Sequence, residues 1–328
     1  MRRAAVTGVA GHVPDYVLTN EELESLVETN DQWIRERTGI SERRLLKGEG
    51  LGTSDLAVPA VRQLLEDTGT APDEVELVIC CTVTGDHRFP DTGTLIAHKC
   101  GLTNAYGYDL GAACSGFLFG LQAGAQYIQA GTHRKVIVVG ADKMSSIVDY
   151  TDRATCILFG DGAGAVMLEP TEHESHGVRH ARLYSDGSGG PELNMLAGGS
   201  VLPASHETID KKQHAIRQNG RAVFKRAVLG MSGALKRVME EERLSAEDVD
   251  WVVPHQANLR IIESVAKQLD FPMARVMLTI EKYGNTTAAT IPLTMADYAP
   301  KLKPGDELLL TAFGGGFTWG ASRLVWGA

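Results

Sequence analysis

The chain has 328 residues, 43% hydrophobic and 22% charged, an ordinary balance for a globular protein of one large domain or two. Its formal net charge of −9 argues against a general nucleic-acid binder and leaves room only for local basic patches. Five cysteines (Cys80, Cys81, Cys100, Cys114, Cys156) have neither disulfide nor zinc-ligand spacing, which predicts a reducing, cytoplasmic setting, and no stretch approaches the ~20 apolar residues that span a bilayer.

In chain order, residues 3–10 predict a first strand; two arginines and a brief apolar run do not make a signal peptide. Thr19 opens a helix with acids in its first turn. Residues 30–44 gather arginines around Trp33, as a solvated helix end or a ligand surface would. An amphipathic helix is expected over 53–68, a strand over 75–83, and helices over 92–100 and 115–130. Residues 135–140 are wholly apolar, as a strand covered on both faces requires. The turn Phe159-Gly-Asp-Gly-Ala-Gly164 feeds another strand. The order then restarts: strand 178–184, helix 220–242, strand 249–254, helix 258–268, and strands over 308–313 and 322–326.

That restart is a repeat. Ala71-Pro-Asp-Glu-Val-Glu-Leu-Val-Ile79 matches Ala246-Glu-Asp-Val-Asp-Trp-Val-Val253 in type and order, and residues 135–140 match 307–312. Strands alternating with helices predict an α/β protein of two similar halves, 1–172 and 173–328, with mostly parallel sheets covered by helices. Residues 186–219 stand outside the repeat. Rich in Gly, Pro and Ser, they fit either a flap over a pocket or a surface excursion.

Chemistry gathers at predicted strand ends and helix starts. Cys114 lies among small residues just before the helix over 115–130, where unpaired N–H groups and the helix dipole favour a thiolate and predict a depressed thiol pKa. His255 follows a strand end, the edge at which ligand sites form in α/β folds. Asn285 falls in the segment that corresponds to the Cys114 segment of the first half. The run Gly314-Gly-Gly316 follows another strand end and can turn an N–H towards a ligand oxygen. Singly, each residue also fits a structural role: a buried cysteine, a satisfied histidine, a capping asparagine, a flexible turn.

Together they carry a resemblance over nearly the whole chain. Trp33-Ile-Arg-Glu-Arg-Thr-Gly-Ile40, Gly111-Ala-Ala-Cys-Ser-Gly-Phe117, Thr151-Asp-Arg153, the Phe159 turn, Pro254-His-Gln-Ala-Asn-Leu-Arg-Ile261, Tyr283-Gly-Asn-Thr286 and Ala312-Phe-Gly-Gly-Gly-Phe-Thr-Trp-Gly320 resemble the β-ketoacyl-acyl-carrier-protein synthase III family. These thiolase-fold enzymes have two βαβαβαββ halves and initiate fatty acid synthesis by condensing a short acyl-CoA with malonyl-acyl-carrier protein. The resemblance implies a catalytic Cys114, His255 and Asn285, and an oxyanion hole from the N–H groups of Cys114 and Gly315. It implies CoA contacts at Trp33, Arg37, Thr38 and Arg153, and a pantetheine tunnel along Gly220, Phe224, Ala257 and Asn258. Arg260 and Lys267 match carrier-protein docking positions, which Lys225 and Arg226 extend. Phe89 and Phe313 match the acyl pocket, Phe89 reaching across a homodimer interface. No cofactor or metal is implied, the CoA thioesters being substrates, and neither nucleic acid nor membrane is an expected partner.

Asn285 separates this family from the elongating ketosynthases, which use two histidines, and from thiolases, whose second cysteine is missing near Gly314–Gly316. Chalcone-synthase-like enzymes share Cys-His-Asn but not the surrounding motifs. The chain departs from some relatives with Lys267-Gln268 in place of two lysines, and with a long 186–219 segment.

Overall fold

The computed structural model describes residues 3–328, beginning with strand β1 (Arg3–His12). A small cap follows: β2 (Tyr16–Thr19), α1 (Asn20–Glu24), α2 (Asp31–Thr38) and β3 (Glu42–Leu45), with β2 and β3 antiparallel. The bounds of α2 come from its sequence. Asn30 Oδ1 accepts the Trp33 N–H at 2.8 Å, and Gly39 closes the helix at φ 79°. Then come α3 (Thr53–Thr68), β4 (Leu77–Cys81), α4 (Thr92–Lys99), β5 (Tyr106–Leu110), α5 (Gly116–Gln129), β6 (Val136–Asp142), α6 (Arg153–Cys156) and β7 (Gly162–Thr171).

The second series is β8 (Gly177–Ser185), β9 (Leu193–Asn194), α7 (His206–Asp210), β10 (Arg217–Gln218), α8 (Gly220–Glu242), β11 (Trp251–Pro254), α9 (Leu259–Gln268), α10 (Ile280–Tyr283), α11 (Thr290–Tyr298), β12 (Glu307–Gly314) and β13 (Thr318–Val325). The segment 186–219 thus carries two short strands, β9 and β10, paired antiparallel, and the helix α7.

Two main sheets result, in the orders β1-β7-β6-β4-β5 and β11-β12-β13-β8. β4 runs parallel to β5 and β6, and β11 parallel to β12, as the alternation of strands and helices predicts. Antiparallel strands complete each sheet: β7 and β1 in the first, β13 and β8 in the second. β4 and β6 are buried along their whole length, because helices cover both faces.

The layers follow from which helices touch which sheet. α3 and α4 cover the outer face of the first sheet, and α8 packed on α9 covers the second. Between the sheets lie α5 and α11, each touching both. The core they share runs from Val6, Ile79 and Val138 through Phe117 and Leu121 to Ile291, Leu308 and Leu310. Each central helix starts from a 3-10 turn, Ala113–Ser115 before α5 and Thr287–Ala289 before α11, and the two turns touch. Ala113 and Thr287 open these turns with left-handed φ values of 47° and 52°. In this register Cys114 is matched by Ala288, with Asn285 three residues earlier.

Candidate active site

A cavity of about 300 Å³ opens where the two central helices begin. Cys114, His255, Asn285, Gly315 and Phe313 line it, as do Gly220, Phe224, Ala257 and Asn258. The segment 186–219 contributes Leu193, Asn194, Met195, Ile216 and Gln218, and so covers the pocket.

The Cys114 turn is fastened to the glycine run. The hydroxyls of Ser115 and Thr318, 2.7 Å apart, both reach the Ala112 carbonyl, and the Thr318 hydroxyl also reaches the Gly315 carbonyl at 3.1 Å. The expected depression of the thiol pKa is not found. Cys114 keeps a face on the cavity, but protein surrounds it elsewhere. That burial, helped by the negative charge of Asp142, pushes the thiol up to about 12, and its own backbone N–H opposes the rise only in part. The helix start favours the thiolate, but desolvation outweighs it.

His255, just beyond β11, is 2% exposed, and desolvation brings its pKa down to about 3, so the ring is neutral. Its Nδ1 lies 2.7 Å from Thr290 Oγ1, which also lies 2.9 Å from the Thr287 carbonyl. The hydroxyl has one proton, and donating it to the Thr287 carbonyl leaves Oγ1 to accept from Nδ1–H. Asn285 is held at both ends of its backbone, its N–H to the Leu158 carbonyl (2.9 Å) and its carbonyl to the Gly160 N–H (3.0 Å). Its side-chain oxygen accepts the Thr287 N–H at 2.9 Å, so the amide N–H groups are the donors left over.

Beyond the cavity, Trp33 on α2 meets Arg153 on α6. The Arg153 guanidinium is 5.1 Å from the indole centroid and that of Arg37 is 5.9 Å away. Asn258 joins this surface to α9 by donating to the Arg37 carbonyl (2.9 Å) and capping the Arg260 N–H (2.9 Å). Thr38 is 2% exposed at the end of α2, and its hydroxyl donates to the Ile34 carbonyl and accepts the Ile40 N–H. Arg260, Lys267, Lys225 and Arg226 are exposed on α8 and α9. Gln268 is tied to Ser232 of α8 at 2.7 Å. Phe89, 85% exposed after β4, does not line the cavity of its own chain.

Sequence reasoning passed over Asp142, Thr287, Thr290 and Arg43. The signal for Asp142 was available, a lone acid ending the apolar run of β6. Arg43 gave none: in Glu-Arg-Arg-Leu it looks like a surface residue, yet it is fully buried.

Fold and cavity together define a class, the thiolase-fold condensing enzymes, in which one half of a duplicated α/β fold offers a thiol and the other offers neutral donors. Comparison with known proteins narrows this. The model for 3-oxoacyl-[acyl-carrier-protein] synthase III matches residues 108–187, and the model for its C-terminal part matches 239–326. The chain is 52% identical over 324 residues to β-ketoacyl-[acyl-carrier-protein] synthase III 2 of Bacteroides thetaiotaomicron, covering 99% of this chain and 96% of that one. It is 50% identical over 327 residues to the synthase III of Chlorobium chlorochromatii, covering 99% of both. The crystal structure of the Thermus thermophilus synthase III superposes with a TM-score of 0.91 at 40% identity, covering 98% of this chain and 99% of that one. The chain belongs to the β-ketoacyl-[acyl-carrier-protein] synthase III family.

Proposed function

We propose that the chain catalyses the decarboxylative condensation of a short acyl-CoA, acetyl-CoA foremost, with malonyl-acyl-carrier protein, giving β-ketoacyl-acyl-carrier protein, CoA and CO2. Cys114 sulfur attacks the acyl-CoA carbonyl, the oxyanion is held by the N–H groups of Cys114 and Gly315, and the C–S bond to CoA breaks, the thiol proton passing to the departing CoA sulfur. Malonyl-acyl-carrier protein then loses CO2, and the electron pair of the broken C–C bond moves onto the thioester oxygen. His255 Nε2–H and the Asn285 amide donate to that enolate. Its carbon attacks the acyl-Cys114 carbonyl, a C–C bond forms as the acyl C–S bond breaks, and the Cys114 thiolate leaves and takes a proton from water. The observation that carries this reading is the meeting of Cys114, a neutral His255 and an amide-donating Asn285 in one cavity. A neutral ring suits a donor to a developing oxyanion; donating through Nε2 requires the Thr290 hydroxyl to turn its proton from the Thr287 carbonyl to Nδ1. The chemistry calls on no cofactor.

CoA lies with its adenine between Trp33 and Arg153, and its pantetheine passes Gly220, Phe224, Ala257 and Asn258. The carrier protein docks on Arg260 and Lys267, extended by Lys225 and Arg226. The enzyme is a cytoplasmic homodimer, with Phe89 of each subunit reaching the acyl pocket of the other beside Phe313. Residues 1–172 bring the nucleophile and 173–328 the donors. No helix among the described residues is long and apolar enough to cross a membrane.

The test separates the half-reactions by labelled-acetyl uptake and labelled-CO2 release. Cys114→Ala abolishes uptake and retains decarboxylation. His255→Ala and Asn285→Ala retain uptake and lose decarboxylation by ~10²–10³, about 3–4 kcal/mol. Loss of uptake in Asn285→Ala as complete as its loss of decarboxylation refutes the division and makes His255 and Asn285 a base and orienter for the thiol, as in a cysteine hydrolase.

A further inference from the structure

The mechanism above uses the ends of His255 and Asn285 that face the cavity. Behind both lies Thr287, and behind Thr287 lies Asp142. All three polar groups of Thr287 are engaged. Its N–H donates to Asn285 Oδ1 at 2.9 Å, fixing which end of that amide can donate to a ligand. Its carbonyl accepts the Thr290 hydroxyl at 2.9 Å, and that hydroxyl also lies 2.7 Å from His255 Nδ1. Its own hydroxyl donates to Asp142 Oδ2. Thr287 does this at φ 52°, a left-handed conformation that a β-branched residue rarely adopts and that surrounding structure must hold in place.

Asp142 is what holds it. The side chain is fully buried at the end of β6, and among the described residues its bonding partners are uncharged. Its Oδ1 accepts from Thr82 Oγ1 (2.9 Å), Val83 N (2.8 Å), Thr84 N (3.1 Å) and Thr84 Oγ1 (2.8 Å). Its Oδ2 takes Thr287 Oγ1 and, at 3.4 Å, Ala288 N. One oxygen is thus bound to the loop after β4 in the first half, the other to the turn before α11 in the second. A buried carboxylate without a cation is costly unless many donors satisfy it, and a fully satisfied one fixes geometry.

We propose that Asp142 and Thr287 form a positioning pair that orients the enolate donor Asn285 through the Thr287 N–H and locks it to the first-half strand ends. This rests on the reading of Asn285 as a donor. Neither member of the pair touches substrate.

The test uses the full-length enzyme with Asp142→Asn, Thr287→Val, Thr287→Ser and Asn285→Ala, measuring labelled-CO2 release from malonyl-acyl-carrier protein and acetyl uptake on Cys114. Loss of an orienting partner behind a functional group typically costs ~10–100-fold. We expect Asp142→Asn and Thr287→Val each to slow CO2 release by about that factor through kcat, with KM for malonyl-acyl-carrier protein nearly unchanged and acetyl uptake not reduced. Thr287→Ser, which keeps the hydroxyl, stays close to the parent. Wild-type CO2 release in Thr287→Val overturns the proposal, whether or not Asp142→Asn folds. Equal loss of uptake and CO2 release in Thr287→Val also overturns it, because the pair would then serve stability alone. If Asn285→Ala keeps its CO2 release, the donor reading itself falls and takes this one with it. Loss there alongside normal release in the Thr287 variant removes only the positioning role.

Discussion

Gly314 and Gly315 at the end of β12 have separate jobs, and substituting them one at a time distinguishes close packing from flexibility. A Cβ on Gly314 would lie 2.6 Å from the Cys114 backbone nitrogen, 3.1 Å from that of Ser115 and 3.2 Å from the Ala113 side chain. Ordinary contact begins at 3.4 Å, so Gly314→Ala must push the nucleophile turn and β12 apart by about 0.8 Å. Nothing nearby yields cheaply, since the two closest neighbours are backbone and the turn is pinned through Ser115, Thr318 and the Ala112 carbonyl. Overpacking of this kind costs about 1–3 kcal/mol of stability. The same shift misplaces Cys114 against the Gly315 N–H, and a displacement near 1 Å can cost on the order of 10²-fold in rate. Gly315 is different. A Cβ there would meet Leu193 of the covering segment at 3.4 Å or more. Gly315→Ala is therefore expected to keep stability and most acetyl uptake. The assay is the rate of labelled-acetyl transfer to Cys114, read beside thermal unfolding. Wild-type uptake and stability in Gly314→Ala, or equal damage from both substitutions, refutes the reasoning.

Other predictions follow from the same geometry. With the thiol at about 12, alkylation of Cys114 by iodoacetamide should climb from about pH 7 to about pH 10 without a plateau, because the thiolate reacts and rising pH supplies it; a plateau by about pH 8 contradicts this. Removing the negative charge with Asp142→Asn should move that rise to lower pH. Arg43 donates to the Leu18 carbonyl, Asn20 Oδ1 and the Ile157 carbonyl, joining the Trp33 cap to the segment after α6. Arg43→Met leaves those acceptors unpaired, at about 1–3 kcal/mol each, and should raise KM for acyl-CoA more than it lowers condensation by pre-acetylated enzyme; an unchanged KM refutes the link. Arg260→Glu or Lys267→Glu should raise KM for malonyl-acyl-carrier protein several-fold at low salt, with the gap closing as salt screens the charges beyond ~8–10 Å. Acyl-CoA kinetics should hardly change, and equal loss towards both substrates refutes docking there.

Elements with strong local signals are legible in the sequence. The helix expected over 220–242 is α8 to the residue, because Asn219 caps its start and a long amphipathic period carries it to Glu242. Cys114 at a helix start is legible for the same reason: small residues lead straight into an apolar helical run. α11 is not legible. Thr290, Pro292 and Thr294 are poor helix formers, and the helix exists because it is buried between two sheets. The sign of the Cys114 pKa shift is illegible on similar grounds. A helix start can be read locally, whereas the desolvation that outweighs it comes from strands and turns distant in sequence. Thr38 is marked by its motif beside Trp33 and Arg37, whereas its burial and its hydrogen bonds to Ile34 and Ile40 come only from the fold.

The duplicated fold explains why the chemistry divides as it does. Both halves bring a left-handed residue and a 3-10 turn to the head of a central helix, and the two turns touch. Identical turns would place two equivalent side chains together at the same buried point. The chain puts Cys114 in one and Ala288 in the other, so a single thiol occupies the junction. The second turn is then free to act through its backbone. Thr287 uses its N–H on Asn285 and its carbonyl on the Thr290–His255 pair, where the first turn uses its N–H groups around the thiol. In the proposed mechanism, one backbone device, repeated, thereby serves a nucleophile in the first half and the donors in the second. The Asp142 carboxylate, bonded to both halves, fixes the register between them.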